Sequence, residues 1–441
     1  WPIIGIVLTI IAISGTASFA HTQSESLSVS GLLEPVEILT DRWGIAHIYA
    51  ENESDLFFAQ GFNAARDRLF QFELWRLQAT GTTAEILGSR ALARDIGARL
   101  HMFRGDLKEE LNHYHPRGQA IIEAFVAGIN AYIAETERQP DLLPIEFKLL
   151  GITPEPWTPA IVISRHQGLV SNLTRELAYG RAVAAIGSRK VSELSWFRPG
   201  DPTLDLDPTI DGNLLTEDIL ETYRAFRRPI RFTTDDIAVE YRGNQAVFNR
   251  LASLIPSELD LAEFGDAIGS NNWVVGGSRT LSGYPLMAND PHRVQQAPSL
   301  RYWIHLVAPG WNVIGGGEPT LPGVSIGHNE HGAWGLTVFG QDNEDLYVYD
   351  TNPENAQQYR YRNSWEDMRV IEEQFIVEGE LTKTSIELKF TRHGPVLYED
   401  IANRKAYALR AAWMDIGSAP YLASSRMDQA ASWEEFREAC R

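Results

Sequence analysis

The stretch GDAIGSNNWVVGG, residues 265–277, places Gly269-Ser270-Asn271-Asn272-Trp273 in front of a strand-like Val274-Val275-Gly276-Gly277, far from either end of the chain. Two readings compete. Gly-Ser is ordinary turn chemistry before a strand. Alternatively, Ser270 does not stay in the middle of the chain: cleavage of the Gly269–Ser270 bond would give its hydroxyl a base in its own freed α-amine. A hydroxyl is a weak nucleophile and needs such a base. An α-amine titrates near 7.7–8.0, about right for proton transfer at neutral pH.

The texture of the sequence changes at this seam. Upstream, Val36–Thr40 and Ile45–Ala50 read as two short strands around a turn at Asp41–Gly44. Ser54 is a candidate cap for a helix that Gly81 ends, with Phe58, Phe62, Ala65, Leu69, Phe72 and Leu77 near one face. A second amphipathic helix turns Ile121, Ile122, Phe125, Ile129, Tyr132 and Ile133 inward and leaves at Pro140 and Pro144. Residues 159–187 are expected to be helical, 199–235 to be loop, and 236–269 to return to a helical pattern. From Ser270 to about residue 350 the sequence is strand-rich and punctuated by glycine.

The 441 residues, 44% hydrophobic, can bury a large core. A net charge of -19 argues against nucleic acid and against anionic membrane surfaces as partners. The single cysteine, Cys440, permits neither an internal disulfide nor a cysteine metal site. The apolar N-terminal run ends in Ser18 and Ala20, which suits signal-peptide cleavage before His21, and it is short for a spanning helix. The last stretch is helical, with Ser432 as cap and Trp433, Phe436 and Ala439 at helical spacing. Both ends read as those of a fragment.

Other motifs are weaker. Gly323–Gly327 matches G-x-S-x-G, which would make Ser325 the nucleophile of a serine esterase, but the motif needs a strand–turn–helix and a Gly-rich strand-like segment follows. His328 and His331 are spaced His-x-x-His outside any helix, a pattern of loop histidines rather than of a zinc site. Gly315–Gly317 lacks the lysine and helix of a phosphate loop.

The segment GSNNWVVGGSRTLSGYPLMANDPH, 269–292, resembles the start of the mature β subunit of the penicillin acylase family of N-terminal nucleophile hydrolases. EILTDRWGIAHIYAENESDLFFAQGFNAARDRLFQFELWR resembles that family's α-subunit opening, and LPGVSIGHNEHGAWGLT and TRHGPVLYE resemble later β-subunit blocks. The resemblance runs in order over most of residues 35–441. It implies an α+β fold, the αββα sandwich of two antiparallel sheets between helical layers. It implies an exported precursor with a signal peptide (1–20), an α-subunit region (21–235), a spacer (236–269) and the start of a β subunit (270–441). The α/β heterodimer would form by autocatalytic cleavage at Gly269–Ser270 and act on small-molecule amides in the periplasm or outside the cell, without stable membrane association.

The same resemblance implies the roles. Ser270 is the nucleophile and its amine the base. A backbone N–H falling on Val338 is one oxyanion donor, while an Asn donor and a nearby Arg are expected beyond Arg441. His292, where some relatives have Gln, helps order the amine. Glu176, Asp342, the carbonyl of Glu344 and Asp345 would hold a structural calcium, and no organic cofactor is implied. Val170, Ile326 and Leu336 would line an apolar acyl pocket. The readings outside this class are the Ser325 esterase and a relative that never matures and only binds amides or partners.

Overall fold

A computed structural model describes residues 25–441 except 167–170, 196–202, 243–245, 247, 248, 250–268, 293–296 and 338–341. Two compact units are present. Trp1–Ser30 is one, of which residues 25–30 carry no helix or strand; Gly31–Arg441 is the other. The signal-peptide expectation falls on residues outside those described.

In the larger unit a hairpin comes first, β1 (Glu37–Thr40) and β2 (Ala46–Tyr49). Asp41 makes its turn, Oδ1 accepting from the N–H of Trp43 at 2.8 Å and of Ile45 at 2.9 Å. The helix Glu53–Thr80 follows for 28 residues. Its cap is Asn52 rather than Ser54: the Asn52 side chain accepts from the Asp55 N–H at 2.9 Å, so the helix starts two residues earlier than expected. Gly81 ends it, as expected. The helix Gly118–Arg138 buries the expected face and crosses the first at backbone contact. A Cβ on Gly61 would stand 2.0 Å from the Phe125 carbonyl oxygen, and one on Gly128 1.9 Å from that of Phe58.

Residues 159–187 hold two helices, Pro159–His166 and Leu173–Ile186. The stretch 199–235 contains more order than expected: the helix Glu221–Arg227 buries Tyr223 and Ala225. At the far end Ser432 caps the helix Trp433–Ala439, its side chain accepting from the Glu435 N–H at 3.2 Å. Ala439 is buried there, but Trp433 is 66% exposed.

Among the described residues the strands make three sheets. The first is mixed: β1 pairs antiparallel with β2, and β2 docks parallel on β5 (Tyr302–Ala308), followed by β6 (Trp311–Gly317), β7 (Ile326–His328) and β8 (Ala333–Trp334). The second has seven antiparallel strands between Glu344 and Ala411, with β9 (Glu344–Asn352) and Lys405–Ala411 at its centre. The third is a two-stranded ribbon of β3 (Ser270–Val275) and β4 (Leu286–Pro291). The architecture is α+β, with most of the described helices before the seam and most of the described strands after it.

The two sides of the seam share their interior. Leu388, Phe390, Leu397, Tyr407 and Leu409 of the second sheet, and Trp413 just after its strand Lys405–Ala411, pack in one core with Leu100, Leu173, Leu177, Ile219, Leu220 and Tyr223 from upstream. Gln60, fully buried, reaches from the first helix to accept from the Gly323 N–H at 2.9 Å and to donate to the Gly323 carbonyl at 3.1 Å. Burial of apolar area at about 25 cal/mol per Å² makes such a shared core the main force joining the halves. Among the described residues no helix is long and apolar enough to cross a membrane.

Candidate active site

Ser270 is the first residue of β3 and lies opposite Pro291 in the ribbon ladder. One residue earlier the ladder continues: the His292 N–H donates to the Gly269 carbonyl at 3.0 Å. The carbonyl that Ser270 would have to attack is therefore already polarised by a backbone donor. Gly269 also has a steric reason. A Cβ there would stand 3.3 Å from Nδ1 of His292, so a side chain would press on that ring.

The ring of His292 is oriented by its neighbour. Its Nε2 lies 3.0 Å from Oδ2 of Asp290 and 3.1 Å from Nδ2 of Asn271. A carboxylate only accepts and an amide nitrogen only donates, so the Asp290 contact calls for a proton on Nε2 while the Asn271 contact calls for a lone pair there; Nδ1 faces the Gly269 side. The bond to His292 holds the Asp290 carboxyl below its usual range, with Asn271 adding to the effect.

Beside the ribbon runs the segment after β8. Asn289 of β4 bonds both backbone groups of Leu336, and its Nδ2 also donates to the Asn271 carbonyl at 2.9 Å. Leu336 and Ile326 are half-buried. Val338 and Val170 lie outside the described residues, so two members of the expected oxyanion and acyl sites are not placed. A cavity of about 480 Å³ lies elsewhere, bordered by Arg104, Arg369, Phe390, His393 and Arg410, with neither Ser270 nor Leu336 in its lining.

The competing motifs lose their geometry. Ser325 is 2% exposed and leads into strand β7, not a helix, so it is no nucleophile elbow. His328 and His331 are exposed on a turn organised by Asn329, whose Oδ1 accepts from the His331 N–H at 2.8 Å.

Around the expected calcium ligands the structure adds a partner. Asn172 Nδ2 donates to Asp342 Oδ1 at 2.6 Å and to the Glu344 carbonyl at 3.0 Å. Burial raises the Glu176 carboxyl, and Asp342 and Asp345 raise it further; burial and then Asp342 raise Asp345. The donor chemistry, hard oxygens that repel one another, suits calcium. Among the described residues no three His, Cys, Asp or Glu side chains already form a metal-holding group.

The sequence reading assigned Glu344 only by its carbonyl. Its carboxylate has a larger part: fully buried, it accepts from the N–H groups of Asn172 and Leu173 at 2.6 and 2.7 Å. It also accepts from Tyr223 Oη at 2.8 Å and Trp413 Nε1 at 2.7 Å. It caps the helix Leu173–Ile186 from across the seam. No local pattern marks such a role, because its donors lie 69 to 172 residues away.

Comparison with known proteins gives the chain its family. The penicillin amidase family model matches residues 35–441, and the chain belongs to that family. It is 32% identical to the penicillin acylase 2 proenzyme of Pseudomonas sp. over 88% of this chain and 46% of that protein. It is 31% identical to the acyl-homoserine lactone acylase QuiP of Pseudomonas aeruginosa over 86% of this chain and 42% of that protein. It is 27% identical to the penicillin G acylase of Escherichia coli over 96% of this chain and 53% of that protein. The chain thus spans about half the length of the curated relatives it matches.

Proposed function

We propose that the protein is a self-processing amidohydrolase whose nucleophile is Ser270 once the Gly269–Ser270 bond is cut. The observation that carries this reading is the hydrogen bond from the His292 N–H to the Gly269 carbonyl at 3.0 Å, at the one bond whose cleavage would free Ser270. Ser270 Oγ adds to that carbonyl carbon, the C–N bond breaks, and the nitrogen takes the hydroxyl proton. Water then hydrolyses the ester, leaving the Gly269 carboxylate and a free amine on Ser270.

In turnover the amine removes the Oγ proton as Oγ attacks a substrate amide. The leaving amine departs with a proton, and water releases the acid from the acyl ester. Donors aimed at the oxyanion, with Val338 N–H as one, stabilise the developing charge. His292 helps order the N-terminal amine. Ile326, Leu336 and Val170 form an apolar acyl site.

The mature protein is an αββα sandwich and an α/β heterodimer, exported to the periplasm or beyond. The shared core across the seam supports the heterodimer. Ile237 is buried and the Ala238 N–H donates to the Leu149 carbonyl at 2.8 Å, which favours a spacer beginning after Ala238 rather than near residue 236. Glu176, Asp342, Asp345 and the Glu344 carbonyl hold a calcium ion, which neutralises the facing carboxylates.

Substrates are amides with an apolar acyl group; acyl-homoserine lactones rank first and β-lactam side chains second. The relatives named for both activities, and the apolar residues, support this order. Each added methylene contributes about 0.8 kcal/mol, roughly fourfold in kcat/KM, until the site is full. The test is a C4 to C12 series of acyl-homoserine lactones beside benzylpenicillin, on mature protein expressed from its complete gene, with Ser270→Ala as control. A flat response, or a preference for a charged acyl group such as glutaryl, contradicts the apolar site.

A further inference from the structure

We infer that Asn289 is a positioning residue for the reaction, setting the spacing between the strand that begins at Ser270 and the backbone segment at Leu336. The inference rests on the reading of Ser270 as nucleophile.

Asn289 pairs with Asn272 in the ribbon. Its Oδ1 accepts from the Leu336 N–H at 3.1 Å, and its Nδ2 donates to the Leu336 carbonyl at 3.0 Å. The second Nδ2 hydrogen goes to the carbonyl of Asn271, the residue after Ser270, at 2.9 Å. An amide carries two donor hydrogens and one acceptor oxygen, and here each is engaged with backbone. The side chain does the work of a β-bridge between two segments that, among the described residues, share no ladder.

Gly335 permits the closeness. A Cβ on it would stand 2.7 Å from Asn272 Nδ2 and 2.8 Å from Asn289 Cβ, closer than atoms can approach. Tight seating matters because a two-stranded ribbon is marginal by itself and takes its position from such ties. The tie touches both sides of the chemistry. One end holds the backbone beside the nucleophile. The other holds the segment that runs, two residues on, into the proposed oxyanion donor.

A displacement of this kind costs transition-state stabilisation rather than ground-state binding. The test uses Asn289→Ala and Asn289→Asp in protein expressed from its complete gene, assayed on the acyl-homoserine lactone that wild type hydrolyses fastest. Expected are cleavage at Gly269–Ser270, an unchanged KM, and kcat lowered about 10- to 100-fold. In Asn289→Asp the introduced carboxyl regains a donor hydrogen when protonated, so its deficit against wild type shrinks from pH 8 to pH 5. Should Asn289→Ala fail to fold, Gly335→Ala, which spreads the joint but keeps the amide, is expected to lower kcat at unchanged KM. An unchanged kcat in these variants, a rise in KM alone, or equal deficits of the Ala and Asp variants at every pH overturns the inference. If wild type is not cut at Gly269–Ser270, or Ser270→Ala retains turnover, it is the Ser270 reading that has failed.

Discussion

His292 donates its backbone N–H to the carbonyl of Gly269 while its ring stands 3.3 Å from where a Gly269 side chain would begin. One residue thus polarises the bond to be cut and restricts what can precede it. His292→Ala keeps the backbone donor and should still be processed. Gly269→Val should slow processing strongly, because a branched side chain meets the ring. Time courses of precursor disappearance by gel and mass measure both. Equal rates for wild type and Gly269→Val would remove the steric part.

Glu344 joins Asn172, Leu173 and Tyr223 upstream of the seam to Trp413 downstream. Replacing it with Ala strands several buried donors, a loss of about 3–5 kcal/mol for a broken buried charged network. The mature subunits of Glu344→Ala should separate at lower urea than wild type in size-exclusion runs. Unchanged separation would mean that the apolar core alone holds the halves.

Sequence period explains which parts of the fold were legible in advance. The inward face from Ile121 to Ile133 and the stop at Gly81 follow from local spacing, and the structure has both. The helix cap is Asn52 rather than Ser54 because two capping residues stand two positions apart and compete for one role. The helix Glu221–Arg227 was hidden by its short length, seven residues with Pro229 close behind it. Ser270, Gly269 and His292 stood out through a long resemblance, not through any three-residue motif. Gln60, Asn289 and the Glu344 carboxylate did not stand out: each bonds backbone far away in sequence, and a side-chain amide or carboxylate carries no local sign of a distant partner.

His101 links stability to pH. It is buried, stacks on Phe226 at 4.4 Å between ring centres, and burial pushes its pKa down to about 3, with Arg227 adding to the effect. In the unfolded chain a histidine titrates near 6.5. Between these values only the unfolded chain binds the proton, so stability falls as pH falls through this window. From pH 7 to pH 5 the loss from this residue is about 2 kcal/mol. Urea unfolding at both pH values should show that loss in wild type and a smaller one in His101→Phe. Parallel slopes would show that His101 is not the group responsible.

Calcium should stabilise the folded protein through Glu176, Asp342 and Asp345. At a hundred times its dissociation constant a bound ion adds about 2.7 kcal/mol. Chelation should lower the Tm, added calcium should restore it, and Asp345→Ala should abolish the response. A Tm indifferent to chelator removes the ion from the account.

The most direct measurement is the intact mass and N-terminal sequence of protein purified from its complete gene, wild type beside Ser270→Ala. Wild type should yield a chain that begins Ser-Asn-Asn-Trp without added protease, and Ser270→Ala should remain joined across residues 269 and 270. Cleavage of the alanine variant at that same bond would contradict self-processing by Ser270.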